Sequence, residues 1–264
     1  MLIGFQLSIQ ANALPLTTAH LVWADNSASS ITNTGIVSVD FDKINNKYWF
    51  ADWYNNRLLS AKTIDLINGK VLVDKVVGQI SKSGHLCNKR QEDSWIAYSP
   101  TDASSLCNPN VARFDRKGNL YVIENHYECH GNNRITVFMA EDLKKMETVT
   151  TMFPNIGAKK VFNKASLTQS AMSKCSDRVN NPNSPVSLAF DSLNQMIVGN
   201  DGYSSSNLQE RPYKQLFFYK DPLKKNADGS FLQDQMPDAV IPLPLGASGQ
   251  VSFDSTAKGR PYAY

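Results

Sequence analysis

The pair Phe-Asp recurs four times along the chain, and this recurrence constrains the fold more than any other feature. Each of the first three pairs ends a short segment of alternating apolar and polar residues and precedes a turn rich in Asn or Gly. The spacings between the pairs are 73, 76 and 63 residues, and the pairs are Phe41-Asp42, Phe114-Asp115, Phe190-Asp191 and Phe253-Asp254. Self-similarity at a steady period indicates a repeat architecture.

The segment Ser105–Met139 shows the plan of one repeat most clearly. It contains an alternating stretch, a glycine turn, a short apolar run, a polar loop and a second alternating stretch, which are Asn110–Asp115, Lys117–Asn119, Leu120–Ile123, Glu124–Asn133 and Arg134–Phe138. This order predicts three antiparallel strands joined by a tight turn and a longer loop. The segments Gly35–Ser60 and Ser184–Tyr219 repeat it.

A fourth apolar run lies upstream of each Phe-Asp pair, and we predict that it is the fourth strand ending the preceding repeat. These runs are His20–Trp23, Lys75–Gly78, Lys160–Asn163 and Ala239–Ile241. Four antiparallel strands per repeat predict an all-β fold, a β-propeller of four-stranded blades. We expect one domain over residues 1–264, with repeats at about 35–79, 110–163 and 184–243 and a partial repeat at 249–264.

About three and a half repeats are fewer than the four to eight blades of a typical propeller. We therefore expect either a fragment of a larger propeller, which we favour, or an open array. An open array would leave strand edges unprotected, so it predicts self-association through the open blade edges. Helix signals are weak, and Glu141–Lys145 is interpreted as a helical turn or a hairpin tip.

One repeat resembles the NHL family. The stretch Leu106-x-x-Pro109-x-Val111-Ala112-x-x-Asp115-x-x-Gly118-Asn119-Leu120-Tyr121-Val122, followed by Asn133-Arg134-Ile135, is similar to the motif P-x-G-V-A-x-D-x-x-G-N-L-Y-V-A-D, N-x-R-I. Val76–Gln79 resembles the strand before the next unit in long-repeat bacterial members. The family's Gly is Asn110 here, and its Ala-Asp is Ile123-Glu124. The resemblance implies a propeller scaffold used mostly for binding, without implying one reaction.

Charge and hydropathy exclude two classes of partner. Lys and Arg number 27 against 24 Asp and Glu, a net charge of +3, which argues against a nucleic-acid-binding protein. No run of eighteen apolar residues is present, so we predict no membrane span. The first fifteen residues lack a basic segment and are not interpreted as a signal peptide.

All four cysteines fall in the long polar loops, and disulfides between them indicate a secreted or cell-surface protein. The cysteines are Cys87, Cys107, Cys129 and Cys175. Four cysteines allow three pairings. We favour Cys87–Cys107 because both belong to one loop.

The loop before the first strand of a blade and the loop between its second and third strands project from the same face. We therefore expect residues 80–109, 124–133, 164–183 and 200–213 to lie together, with 52–56 beside them. We call this surface the loop face. Aromatic residues in polar loops are not needed for packing and suit ligand binding. The candidate ligand-binding residues are Trp53, Tyr54, Trp95, His126, Tyr127 and Tyr203.

The sequence contains no catalytic motif, so we expect a binding or structural module for a protein or glycan, without cofactor. The alternative is a metal-dependent hydrolase or lyase of the lactonase-like kind, and it remains open. Its ligands would come from Glu124, His126, His130 and Asp201, or from Glu124, Asn125, Asn200 and Asp201.

The aspartates of the Phe-Asp pairs have a structural interpretation. A carboxylate at the end of a strand accepts backbone N–H groups of the turn that follows it. Arg57 and Arg134 are likewise predicted to pack within their blades.

Overall fold

The structure is a computed structural model that describes residues 20–24, 31, 34–62, 70–89, 101–125, 132–163, 167, 185–200, 214–243, 251–253 and 261–263. These residues form strands, one α-helix and a single 3₁₀ turn at Cys87–Lys89. The strands are β1 His20–Trp23, β2 Ile36–Asp42, β3 Lys47–Asp52, β4 Arg57–Lys62, β5 Lys70–Val77, β6 Pro109–Phe114, β7 Leu120–Glu124, β8 Arg134–Phe138, β9 Lys160–Phe162, β10 Pro185–Phe190, β11 Met196–Asn200, β12 Gln215–Tyr219, β13 Ala239–Pro242, β14 Val251–Phe253 and β15 Pro261–Ala263, and the helix is α1 Ala140–Thr148.

Three antiparallel four-stranded meanders form three blades, as the repeats predict. Blade 1 contains β2 to β5, blade 2 contains β6 to β9, and blade 3 contains β10 to β13, each in chain order across its sheet. The strands β14 and β15 pair as the start of a fourth unit, and β14 contacts β10 of blade 3. The protein is thus an all-β, incomplete propeller.

Strand β1 corrects one prediction. It was expected to end a preceding blade, but it pairs in parallel with β5 at the outer edge of blade 1, with His20 opposite Lys70 and Trp23 opposite Val73. Its Trp23 side chain is buried against Leu59 and Val76. Burial of this ring against blade 1 accounts for the pairing, which the short sequence pattern of β1 does not specify.

Two hydrophobic cores hold the blades together face to face. Blade 1 contributes Trp49, Ala51, Leu58 and Val77 to the first core, and the facing side chains from blade 2 include Ala112, Leu120, Val122 and Phe138. Blade 2 contributes Tyr121, Ile123, Ile135, Val137 and Phe162 to the second core, and blade 3 contributes Leu188, Met196, Val198, Phe217 and Tyr219. Strands of blade 2 are buried on both faces because neighbouring residues alternate between the two cores.

The aspartates of the Phe-Asp pairs hold the turns, which confirms their structural interpretation. Asp115 Oδ1 accepts the backbone N–H groups of Lys117 and Asn119, at 2.8 and 2.9 Å. Asp42 and Asp191 bind their own turns in the same way. The turn of blade 2 also needs a positive φ, which Gly118 adopts at 81°. Asp254 lies outside the described residues.

Helix α1 is longer than the helical turn expected at Glu141–Lys145. It is amphipathic, and Leu143 and Met146 are buried in the core between blades 1 and 2. Within the described residues, no helix is both long and apolar enough to cross a membrane.

Candidate binding face

The β3–β4 turn and the loop after β5 meet at one end of the blades, as the topology predicts. Asn56 Nδ2 donates to the carbonyl oxygen of His85 at 2.8 Å, and Arg57 Nη1 donates to that of Lys82 at 2.9 Å. Asn56 Oδ1 also accepts the backbone N–H of Asn108 at 2.6 Å, which reaches the loop before blade 2. The described parts of the loop face therefore form one connected surface.

Glu124, at the end of β7, is the hub that holds this surface from below. It is fully buried. Its Oε1 accepts hydrogen bonds from Arg134 Nε at 2.8 Å and from Thr136 Oγ1 at 3.1 Å. Its Oε2 accepts the backbone N–H of Cys107 at 3.0 Å and a hydrogen bond from Asn132 Nδ2. A buried carboxylate with this many donors is fully compensated for its loss of water.

Arg134 connects the hub to the surrounding loops, in agreement with its predicted packing role. It is also fully buried. Its guanidinium donates to the carbonyl oxygens of Leu167 at 2.7 Å and Ser105 at 3.0 Å, and to Thr101 Oγ1. One side chain thus ties the loop before blade 2 to the start of the loop before blade 3.

Blade 1 repeats the arrangement in a smaller form. Asp52 faces Arg57 across β3 and β4, and Arg57 Nε lies 2.8 Å from Asp52 Oδ2. Asp52 Oδ1 accepts the backbone N–H of Gly35 at 3.0 Å. The same pair of positions therefore anchors the loop face in both blades.

A disulfide bond joins Cys87 and Cys107, the pairing favoured from the sequence. Cys107 is fully buried and Cys87 nearly so. The bond closes the loop of residues 88–106 at its base, because the two Cα atoms are 4.5 Å apart. Beside it, Asn88 and Asn132 exchange two hydrogen bonds between their side chains, at 3.0 and 2.9 Å.

Two predicted binding residues lie on the β3–β4 turn. Tyr54 is 55% exposed, whereas Trp53 is half-buried, and their ring centroids are 4.8 Å apart. The Tyr54 ring lies on Gly35, where an added Cβ would come within 2.2 Å of Tyr54 Cδ2. The glycine thus makes room for the ring, and the pair forms an aromatic patch on the loop face.

Asn125 and Asn200, two of the residues named for a metal site, are described and buried, at 4% and 2% exposed. Asn125 Nδ2 donates to the carbonyl oxygen of Pro185 at 3.0 Å. The remaining predicted site residues lie outside the described residues. They are Trp95, His126, Tyr127, Cys129, His130, Cys175, Asp201 and Tyr203. Among the described residues, no group of three His, Cys, Asp or Glu side chains could hold a metal ion.

Trp23 was not singled out from the sequence as a site residue. Arg57 Cζ and Lys82 Nζ each lie 5.4 Å from its ring centroid, which is within the range of cation–π attraction. A tryptophan at the end of a short apolar run is typical of the hydrophobic core. The parallel pairing of β1 with β5 is what brings the ring next to these cations.

Comparison with known proteins gives distant likenesses only. No protein-family description matches the chain, and no curated protein matches it. Among solved structures, the outer coat vertex of COPII on membranes has a TM-score of 0.42 at 13% identity, covering 91% of this chain and 47% of that chain.

Two further solved structures are more distant. The β-propeller domain of Cps50 (Swd1) from Myceliophteria thermophila has a TM-score of 0.38 at 11% identity, covering 82% of this chain and 46% of that one. Virginiamycin B lyase from Staphylococcus aureus has a TM-score of 0.35 at 10% identity, covering 88% and 70%. The chain spans about half the length of the COPII structure. At these scores the likenesses carry no inference about function.

Proposed function

We propose that the protein is an extracellular or cell-surface binding module that engages a protein or a glycan through its loop face. The observation that carries the proposal is the Trp53–Tyr54 pair, a partly exposed aromatic patch on a turn held at its two ends by hydrogen bonds of Asp52, Asn56 and Arg57. Aromatic side chains supply large contact areas at low conformational cost, and they dominate many interfaces.

Rigid support favours binding by such a patch. The residues Asp52, Asn56 and Arg57 flank the pair on both sides and are buried. A surface already ordered in the free protein loses less conformational entropy on binding than a mobile loop does. The loop face thus combines an exposed aromatic anchor with an immobile base.

The disulfide supports the compartment that we propose. Structural disulfides persist in oxidising environments and are rare in the cytosol, so the Cys87–Cys107 bond supports a secreted or cell-surface protein. The NHL-like motif of blade 2 supports a propeller of that type, and we include this classification in the proposal.

The alternative, a metal-dependent hydrolase or lyase, would use Glu124 as a ligand. Both oxygens of that carboxylate already accept hydrogen bonds from side chains or backbone of the same blade and its preceding loop. Coordination of a metal would have to displace these donors from a buried site. This geometry favours the binding role.

The test is a binding screen followed by a matched pair of variants. The chain is applied to arrays of purified glycans and of purified extracellular protein domains, and affinity for each hit is measured by surface plasmon resonance. We expect the double variant W53A/Y54A to weaken binding at least about tenfold.

Leu193→Ala is the control for that experiment, because Leu193 is 75% exposed but lies on the turn at the opposite end of blade 3. Equal affinities for the wild-type chain and W53A/Y54A would remove the aromatic patch from the site.

A second copy of the chain belongs to the same proposal as a partner. Val39 of blade 1 is 48% exposed, whereas the residues three before the aspartate in the other blades, Ala112 and Leu188, are buried against the preceding blade. Val37, also on β2, is 49% exposed. At β2, this face of blade 1 therefore has the surface chemistry of a blade-to-blade contact, whereas Trp23 covers its outer part at Leu59 and Val76.

We expect sedimentation equilibrium to show a concentration-dependent dimer that the variant V37K/V39K abolishes. Leu193→Lys is the control, since Leu193 is 75% exposed and lies on the turn between β10 and β11 of blade 3. A monomer at all concentrations would remove the second copy from the set of partners.

A further inference from the structure

A cavity of about 550 Å³ opens at the end of the blades opposite the loop face, beside the turns that follow β2, β6 and β10. Its volume is typical of sites for small molecules. Its lining includes a phenylalanine of each blade, the carboxylates Asp40 and Asp115, and the cations Lys43, Arg113 and Arg116. Three consecutive blades thus contribute to one concave surface.

The repeated phenylalanines give the cavity an aromatic lining. Phe41, Phe114 and Phe190 are all half-buried. Phe114 packs against Trp49 of blade 1 at 6.3 Å between ring centroids, and Phe190 packs against Tyr121 of blade 2 at 4.7 Å. The rings of Phe114 and Phe190 are therefore held in place by the cores between the blades, while both rings also line the cavity.

Contacts between the turns hold the walls together. An added Cβ on Gly118 would lie 2.3 Å from Ile44 Cδ1, so the Ile44 side chain rests directly on the glycine of the next blade. Arg116 Nε donates to the carbonyl oxygen of Asp191 at 3.1 Å, which joins blade 2 to blade 3. The cavity is thus built from parts that are fixed before any ligand binds.

The carboxylates of the cavity already have their donors. Asp40 accepts the backbone N–H of Phe41 at 2.9 Å and that of Phe114 at 2.7 Å. Asp115 accepts two backbone N–H groups on Oδ1 and two side-chain amide groups on Oδ2. Neither acid needs a cation from a ligand.

The three cations of the cavity, in contrast, have side-chain N–H groups that make no hydrogen bond to the described residues. In the described part of the chain, Lys43 makes no hydrogen bond or ion pair, and Arg116 bonds through Nε alone among its side-chain nitrogens. Arg113 bonds through Nη1 only, to Ser38 and to backbone carbonyl oxygens. The cavity therefore has a surplus of charged donors beside an aromatic surface.

We propose that this cavity binds a small organic carboxylate with a flat aromatic body. The body would lie on the exposed sides of Phe114 and Phe190, in the offset or edge-on geometry that aromatic pairs prefer. The carboxylate would accept charge-assisted hydrogen bonds from Arg116 and Lys43, which are stronger than neutral ones. The site is separate from the loop face and independent of the function proposed for that face.

The test uses dansyl-glycine, which has an aromatic body and a carboxylate, and dansylamide, which has the same body without the charge. We expect fluorescence titration of the full chain to show saturable binding of one dansyl-glycine per chain, and dansylamide to bind at least about tenfold more weakly. We expect K43Q/R116Q to weaken dansyl-glycine binding about tenfold and to leave dansylamide binding unchanged.

Two further variants locate the site. K117Q removes an exposed cation from the same turn without touching the cavity lining, so it should bind dansyl-glycine like the wild type. A189W fills the cavity from β10 and should abolish binding while the circular dichroism spectrum stays unchanged. Equal binding of the two probes, equal effects of K117Q and K43Q/R116Q, or full binding by A189W would each overturn the proposal.

Discussion

The junction between blades 1 and 2 and the edge of blade 3 solve the same structural problem with different chemistry. Where the second strand of a blade ends opposite the start of the third, blade 1 has Asp52 opposite Arg57 and blade 2 has Glu124 opposite Arg134. Blade 3 has Asn200 opposite Gln215. In blade 3, amides thus occupy the positions of both the carboxylate and the guanidinium, so no charge at these positions lacks its partner.

Of the three buried lysines in the described residues, Lys47 and Lys160 differ in the same direction. Lys47 of blade 1 lies against two carboxylates, with Asp74 Oδ2 at 2.6 Å and Glu147 of helix α1 on its other side. Lys160 of blade 2 is fully buried and donates to the neutral Gln235 Oε1 at 2.7 Å. The junction between blades 1 and 2 thus contains complete ion pairs, and we call it the charged junction. At the junction between blades 2 and 3 the partner of Lys160 is an amide, and we call it the neutral junction.

This difference predicts how each junction responds to substitution. A buried ion pair adds little net stability, because desolvation offsets the attraction, but removal of one partner leaves an uncompensated buried charge. A neutral amide pair carries a smaller penalty when it is broken. The charged junction should therefore be the more sensitive of the two, and it is also the one that supports the loop face.

The largest expected effect comes from Arg134→Met. The change keeps the volume of the side chain but leaves Glu124 buried without its cation. We expect a loss of about 3–5 kcal/mol in the free energy of unfolding. Urea unfolding followed by circular dichroism measures it through the shift of the midpoint.

The double variant E124Q/R134M is the matched control. It removes both charges, as blade 3 does naturally, and should recover at least half of the loss. A double variant no more stable than Arg134→Met would show that the hydrogen bonds of Arg134, rather than the charge on Glu124, account for the effect.

The second-largest expected effect comes from the disulfide bond between Cys87 and Cys107, which lies in the loop between blades 1 and 2. The variant C87A/C107A removes a cross-link between residues separated by 20 positions. We expect a loss of about 3 kcal/mol, from the gain of conformational freedom in the unfolded chain. The measurement is the urea midpoint of this variant against the oxidised wild type.

The wild-type chain under reducing conditions supplies the control for this pair. Its midpoint should match that of C87A/C107A, since both lack the bond. Unequal midpoints would attribute part of the loss to the buried Sγ atoms rather than to the cross-link.

Lys160 provides a smaller and pH-dependent effect at the neutral junction. Burial lowers the pKa of Lys160 from its ordinary value of 10.5 to about 8, and nearby Asp221 only partly opposes this shift. Below pH 8 the amine is protonated in both states, and the cost of burying its charge is fully present. Between pH 8 and 10.5 the unfolded chain binds the proton and the folded chain does not, so stability rises with pH.

We expect this rise to be about 1–3 kcal/mol. It is measured as the difference between urea midpoints of the wild type and Lys160→Met across that pH range, which cancels the titration of other groups. A difference that does not change with pH would show that Lys160 has the same pKa in both states.

The repeat plan could be read from the sequence because each strand depends on local signals. The strand Arg134–Phe138 has the predicted bounds, and the strand Leu120–Glu124 ends one residue beyond the predicted run Leu120–Ile123, since alternating or apolar runs end at clear turn residues. The aspartate turns were predictable for the same reason, because a carboxylate and the N–H groups it binds lie within four residues.

The site networks could not be read in this way. Asn88 and Asn132 are 44 residues apart, and their contact depends on how two blades pack. The parallel pairing of β1 and the cavity among three turns depend likewise on tertiary contacts, which short-range patterns do not specify. The aromatic patch was predictable because Trp53 and Tyr54 are neighbours in the chain, and their exposure follows from a polar turn.

The smallest expected effect comes from moving the charged chemistry into blade 3. In the double variant N200D/Q215R, the desolvation of the two new charges should nearly offset their attraction, so stability should stay within about 1 kcal/mol of the wild type. The single variant N200D is its control. It introduces a carboxylate at a position that is 2% exposed, without a cation opposite it, and should lose more stability than the double variant does.

Urea midpoints of the two variants decide between two explanations of blade 3. If the double variant is as unstable as N200D alone, the backbone of blade 3 cannot hold an ion pair in the geometry of blades 1 and 2. The backbone of blade 3 then explains why Asn200 and Gln215 occupy these positions. If the double variant matches the wild type, either chemistry satisfies the strand position itself, and the ion pairs of blades 1 and 2 are needed for the loops that they anchor.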